Sequence, residues 1–184
     1  MMGLFSRPKR VYRSGLELIQ RIKLNNQNDA KFWLPPDINH FRLLVNGVVF
    51  DTNAQHLIGR FSINRGSWDA GSASYGSVGT GSIPTTSFTH LGYTSTTSFF
   101  ILKAKVEANY AYSAICDIYL NSRGVYSQFT MISAGRDNAR SADEPEVLMS
   151  GGMHLSTRRP VGLQVIDTGG LIVSGELGLY GFVK

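Results

Sequence analysis

Leu16-Glu17-Leu18-Ile19-Gln20-Arg21-Ile22-Lys23-Leu24 sets apolar residues at 16, 18, 22 and 24 and charged ones at 17, 21 and 23. A period of two marks a strand with one face buried. Ile19 and Gln20 interrupt it, which leaves a short helix as the competing reading of this stretch. Asn25-Asn26-Gln27-Asn28-Asp29 is a turn cluster, and residues 30–34 read as a short strand that Pro35-Pro36 closes. A helix crossing that double proline would lose two donors and clash with its preceding turn.

Further along, residues 40–50 (HFRLLVNGVVF) hold Asn46-Gly47 between apolar runs. That is a type I′ hairpin signal, with a bulge inside one long strand as the alternative. Residues 56–63 give another strand. In residues 62–98, 22 of 37 positions are Gly, Ser or Thr, which reads as long surface loop with weak strands. Strands resume at 98–108, where Lys103, Lys105 and Glu107 point outward, and at 110–120 and 125–133. Residues 135–145 form a polar loop and 146–149 a short apolar stretch ending before Gly151-Gly152. Residues 162–167 and 176–184 close the chain, punctuated by Thr168-Gly169-Gly170 and Ser174-Gly175. This spacing, without a sustained 3.6 period, predicts about eight to ten strands in two packed antiparallel sheets. The expected fold is all-β: an antiparallel β-sandwich, jelly-roll-like, over residues 15–184, with an N-terminal basic arm over residues 1–14.

The length of 184 residues fits one domain, and the charged fraction of 17% lies below the roughly 25% usual for soluble proteins. A net charge of +5 brings nucleic acid into consideration. The charges are end-loaded, however: Arg7, Lys9, Arg10 and Arg13 cluster in the arm, and no charged residue lies between Asp69 and Lys103. With no nucleic-acid motif beside it, such an arm fits docking on an acidic protein surface better than phosphate binding. Leu4 and Phe5 at its tip, with the four basic residues, are the partner-docking candidates; a frayed terminus is the alternative. No segment approaches the roughly 20 apolar residues of a membrane span, and no apolar run follows the basic start to make a secretory signal. Synthesis and assembly in a cytoplasm is the expectation.

No phosphate-binding loop, nucleophile elbow, zinc-protease helix or paired-cysteine motif is present. His40, His56, His90 and His154 lie far apart with no carboxylate at ligand spacing, so neither a metal nor a cofactor is expected. Cys116, in an apolar run, reads as a small core residue rather than a nucleophile. Asp143, Glu144 and Glu146 flank Pro145 in a polar loop and read as solvated rather than as a hydrolase pair. The chain is therefore expected to lack enzymatic activity. Trp68, Tyr75 and Tyr93, in the Gly/Ser/Thr-rich stretch, are the candidates for stacking on a sugar ring, with packing as the alternative reading. Tyr110 and Tyr112 alternate on a strand and read as packing.

The layout resembles a family of phage tail-fibre and virion jelly-roll domains. The residues that carry the likeness are 16–24 followed by Lys31-Phe32-Trp33-Leu34, then His40-Phe41-Arg42-Leu43-Leu44-Val45-Asn46-Gly47-Val48-Val49. Ala70-Gly71-Ser72-Ala73-Ser74-Tyr75 follows, and the close is Ser174-Gly175-Glu176-Leu177-Gly178-Leu179-Tyr180-Gly181-Phe182. The resemblance covers residue 16 to the end, and its most specific element is the final Leu-Tyr-Gly. It implies a virion structural protein, a small tail fibre or spike subunit, homo-oligomeric and even trimeric, docked on other virion proteins and contacting a host-surface glycan. A capsid decoration (cement) protein and a lectin-like carbohydrate-binding module are the alternatives. It carries over no active site, and the chain departs from long fibres in having no coiled-coil stalk.

Overall fold

The computed structural model describes residues 15–52, 56–64, 66–71, 74–83, 87–102, 108–121, 126–136 and 145–183, with backbone alone for 77–83, 87–96, 135–136 and 145–146. These residues form twelve strands: β1 (Gly15–Gln27), β2 (Asp29–Trp33), β3 (His40–Phe50), β4 (Leu57–Ser62), β5 (Tyr75–Ile83), β6 (Ser87–Thr96), β7 (Phe99–Leu102), β8 (Ala111–Tyr119), β9 (Ser127–Arg136), β10 (Pro145–His154), β11 (Gly162–Asp167) and β12 (Ile172–Val183). Every pairing is antiparallel. The large sheet runs β1-β12-β3-β8-β9-β10-β5-β6 and the small one β2-β11-β4-β7. The chain is an antiparallel β-sandwich, as its patterning predicts.

The winding has a simple rule. The first four strands of the large sheet and the four of the small sheet correspond in order, and each corresponding pair is consecutive in sequence: β1 with β2, β12 with β11, β3 with β4, β8 with β7. Two hairpins, β5-β6 and β9-β10, are inserted and widen the same side of the large sheet. The Gly/Ser/Thr-rich stretch, expected as long loop with weak strands, thus supplies the pair of strands at one edge of that sheet. Strand pairing needs only backbone groups, so a run poor in β-formers can still be recruited by a neighbouring edge.

The interruption at Ile19-Gln20 is a β-bulge: the register with β12 shifts between Leu18 and Gln20. One extra residue flips the alternation, so Leu16 and Leu18 point to solvent while Leu24 is buried. No helix forms. The same device decides Asn46-Gly47, where β3 continues through a bulge with Gly47 at φ 59 instead of turning back. Beside it Gly175, at φ 134, bulges β12; a Cβ there would lie 2.7 Å from the Val48 Cα. Ser174-Gly175 and Gly151-Gly152 therefore lie within strands rather than separating them, and β10 is ten residues long rather than a short stretch.

Between the sheets, Phe32, Phe41, Leu43, Phe61, Phe99, Ile118, Leu163, Val165 and Leu179 are fully buried. Rings dominate one end of this core: Phe99 stacks on Phe129 at 4.3 Å and on Phe61 at 5.1 Å. Cys116 is buried among them as a free thiol, and burial pushes its pKa up, away from the reactive thiolate.

Candidate ligand-binding face

The alternation in Asp29-Ala30-Lys31-Phe32-Trp33 turns Ala30 and Phe32 into the core and leaves Lys31 and Trp33 on the outer face of the small sheet. Trp33 is 46% exposed. Its register partner on β11 is Gly162, whose other partner is Ser62 on β4. Beyond Ser62 the chain reverses tightly through an Asn64–Ser67 bridge with Gly66 at φ 99, and this returns Trp68 over the same face. The two indoles stack with centroids 6.0 Å apart and planes 27° apart. A Cβ on Gly162 would sit 3.2 Å from atoms of both rings. Glycine there lets two large rings rest together on the strand.

What fixes Trp68 is its neighbour. The Asp69 backbone N–H donates to the Phe61 carbonyl at 2.7 Å. The Asp69 carboxylate accepts from the Ser74 hydroxyl at 2.5 Å and lies 2.8 Å from Nε2 of the fully buried His154. Desolvation would raise the Asp69 pKa, but hydrogen bonds from Ser74, His154 and Gly71 outweigh it and hold the carboxyl below its ordinary range. For His154 desolvation wins over the Asp69 partner, and its pKa is lowered.

Tyr75 belongs to this support and not to an exposed loop platform. It is fully buried; its hydroxyl accepts from the Phe61 N–H at 2.7 Å and donates to the Asp69 carbonyl at 3.1 Å. A buried Tyr needs a partner for its O–H, and the turn leading into β5 provides one. The candidate role of Tyr75 in stacking on a ligand is thereby corrected. Tyr93 pairs with Ser77 in the large sheet, so it is not on the small-sheet strands that carry the indoles; its side chain is outside the described residues. Leu4, Phe5, Arg7, Lys9, Arg10 and Arg13 also lie outside the described residues, as do Asp143 and Glu144.

One step along the small sheet from the indoles, Lys31, Gln164 and Arg60 stand in register. Lys31 pairs with Asp29 at 3.1 Å, and the Gln164 amide N–H donates to the same Asp29 oxygen at 2.7 Å. Arg60 has no carboxylate partner among the described residues, and its Nε is sealed from solvent without an acceptor. Sequence reasoning missed Trp33, Gly162 and Arg60. For Trp33 a signal was present: a tryptophan on the opposite face of a short strand from Phe32 must meet solvent or a partner.

The outer face of the large sheet is the rival surface. It carries a shallow depression of about 500 Å³ beside Leu44, Ile115, Ile132 and Tyr180. Next to it His40 stacks between Phe182 at 3.8 Å and Tyr119 at 4.2 Å. Its charged groups are matched to each other, Arg42 with Asp117 at 2.8 Å twice and Arg21 with Glu176 at 3.4 Å. The His40 Nε2 there has no hydrogen-bond partner among the described residues, but it is the small-sheet face that combines two stacked indoles with a guanidinium that has no carboxylate partner among them. Among the described residues, no group of three or more His, Cys, Asp or Glu could hold a metal ion.

No family model matches the chain, and no curated protein matches it. Among solved structures, the CBM40 of Ruminococcus gnavus IT-sialidase bound to α2,6-sialyllactose aligns over 89% of this chain and 92% of its own, at 8% identity and a TM-score of 0.30. The structure of infectious bursal disease virus, Gx strain, aligns over 92% of this chain and 41% of that one, at 10% identity and a TM-score of 0.13. At these scores neither likeness bears on fold or function, which rest on the residues themselves.

Proposed function

We propose that the protein is a non-enzymatic attachment subunit that holds a surface glycan against the Trp33–Trp68 pair. The observation that carries this reading is the placement of two stacked indoles on the solvent face of a sheet, over a glycine that makes room for both. A pyranose ring presents an apolar C–H face to such a platform and keeps its hydroxyls free for neighbouring polar groups. On an array of immobilised neutral and acidic oligosaccharides, the full chain is expected to bind a defined subset. Trp33→Ala and Trp68→Ala should each cost about 2 kcal/mol, or roughly thirtyfold. Retention that both substitutions leave unchanged would sink the reading, and so would an array with no binding at all.

We read the winding of the two sheets as a jelly roll with two inserted hairpins, an architecture shared by capsid and lectin domains. The resemblance of the strand motifs supports placing the subunit on a phage particle as a small tail fibre or spike, with a capsid decoration protein as the alternative. Quantitative mass spectrometry of purified virions separates them. A copy number far below that of the major capsid protein is expected. Parity with the capsid protein would make it a decoration protein, and absence from virions would remove the particle role altogether.

A further inference from the structure

We propose that the ring held by the indole pair carries a carboxylate and that Arg60 receives it; this rests on the sugar-binding reading of the same face. The floor of the platform is the row Trp33–Gly162–Ser62, and the adjacent row on that face is Lys31–Gln164–Arg60. Two residues along a strand span about 7 Å, so the backbone row that carries Arg60 lies about that far along the sheet from the row that carries the indoles.

Lys31 and Gln164 on this face are already engaged. Lys31 is matched by Asp29, and Gln164 donates to that same carboxylate, which leaves the Gln164 carbonyl to accept from a hydroxyl. On the other side of Trp68, Asp69 is committed to Ser74 and His154. Arg60 has no carboxylate in ion-pair reach among the described residues, while its Nε is shut off from water with no acceptor. A half-buried guanidinium without a counter-ion is costly, and its planar fork matches a carboxylate with two parallel hydrogen bonds. A neutral sugar would stack on the rings and leave that charge uncompensated. A uronate or a nonulosonate such as sialic acid supplies both the apolar ring face and the anion.

The probes are trigalacturonate against its methyl ester, and sialyllactose against lactose, titrated calorimetrically into the full chain. For at least one pair the acid should bind about tenfold to a hundredfold tighter than its neutral counterpart, and which pair responds identifies the sugar class. Arg60→Gln should abolish that preference yet keep the weaker affinity for the neutral partner, while Arg60→Lys should keep part of it. Trp68→Ala should weaken the acid and the neutral compound alike. Neutral and acidic members binding equally to the unaltered chain would overturn the role of Arg60 and leave the sugar platform standing. So would a preference that survives in correctly folded Arg60→Gln. Failure of all four probes would overturn both.

Discussion

Gly59→Ala should lower the stability of the domain by about 3 kcal/mol or more, at the upper end of what overpacking costs. Gly59 lies on the inward face of β4 and is the cross-strand partner of Phe99. A Cβ added there would meet the Phe99 ring at 2.3 Å and at two positions of 2.7 Å. Such an overlap is cheap only when the ring can step aside. Phe99 cannot, because it is fully buried and packed on Phe61, Phe129 and Tyr75. In a chain of this size the loss corresponds to a fall in Tm of roughly 6–12 °C, measurable by calorimetry. Phe99→Leu should be only mildly destabilising, and the double substitution should recover at least about 1 kcal/mol against the sum of the singles. Unchanged stability of Gly59→Ala would mean that the ring is not fixed where it is described.

The second large effect belongs to Asp69. Asp69→Ala should cost about 2–4 kcal/mol, because it strands Ser74 and the buried His154 Nε2 at once. Asp69→Asn, which keeps the shape and one acceptor, should cost less. Both should weaken sugar binding as well, since Asp69 seats Trp68. A cost below about 0.5 kcal/mol, the level of an ordinary surface substitution, would refute this role. The same pair makes acid destabilising. His154 binds its proton less readily folded than unfolded, so the unfolded chain takes up more protons as pH drops below the ordinary value of 6.5. Its contribution is complete above that value and is lost as pH falls towards its lowered folded pKa. His40, also lowered, chiefly by burial, adds with the same sign. Asp69 joins only below the ordinary carboxylate range. Asp167, whose carboxyl pKa is raised chiefly by burial, acts with the opposite sign. Denaturation measured from pH 7 to 5 should show a loss of stability that shrinks in His154→Gln. A pH dependence unchanged by that substitution would contradict the role of the imidazole.

How much of this was legible beforehand depended on whether a residue's task is local. The two-residue period of Leu16–Leu24 and the double proline announced strands, since alternation and proline geometry act within a few residues. The bulges at Ile19, Gly47 and Gly175 were legible only as irregularities. Whether an Asn-Gly pair turns or bulges is decided by the strands on either side, and β3 has β12 and β8 holding it straight. Trp68 was readable as a lone aromatic in a small-residue stretch, but Tyr75 looked the same from sequence. What separates them is the Phe61 N–H that claims the Tyr75 hydroxyl. Trp33, Gly162 and Arg60 come from three separate strands, and only sheet register puts them in adjacent rows. No local pattern encodes that register.

The pairing of Gly15 with Val183 has one more implication. The polypeptide enters and leaves the sandwich at the same margin, side by side on the outermost two strands of the large sheet. Any tether fused at either end would hold the sandwich as a pole holds a flag, along one hem. The outer surface of the small sheet faces away from the sheet on which that hem lies.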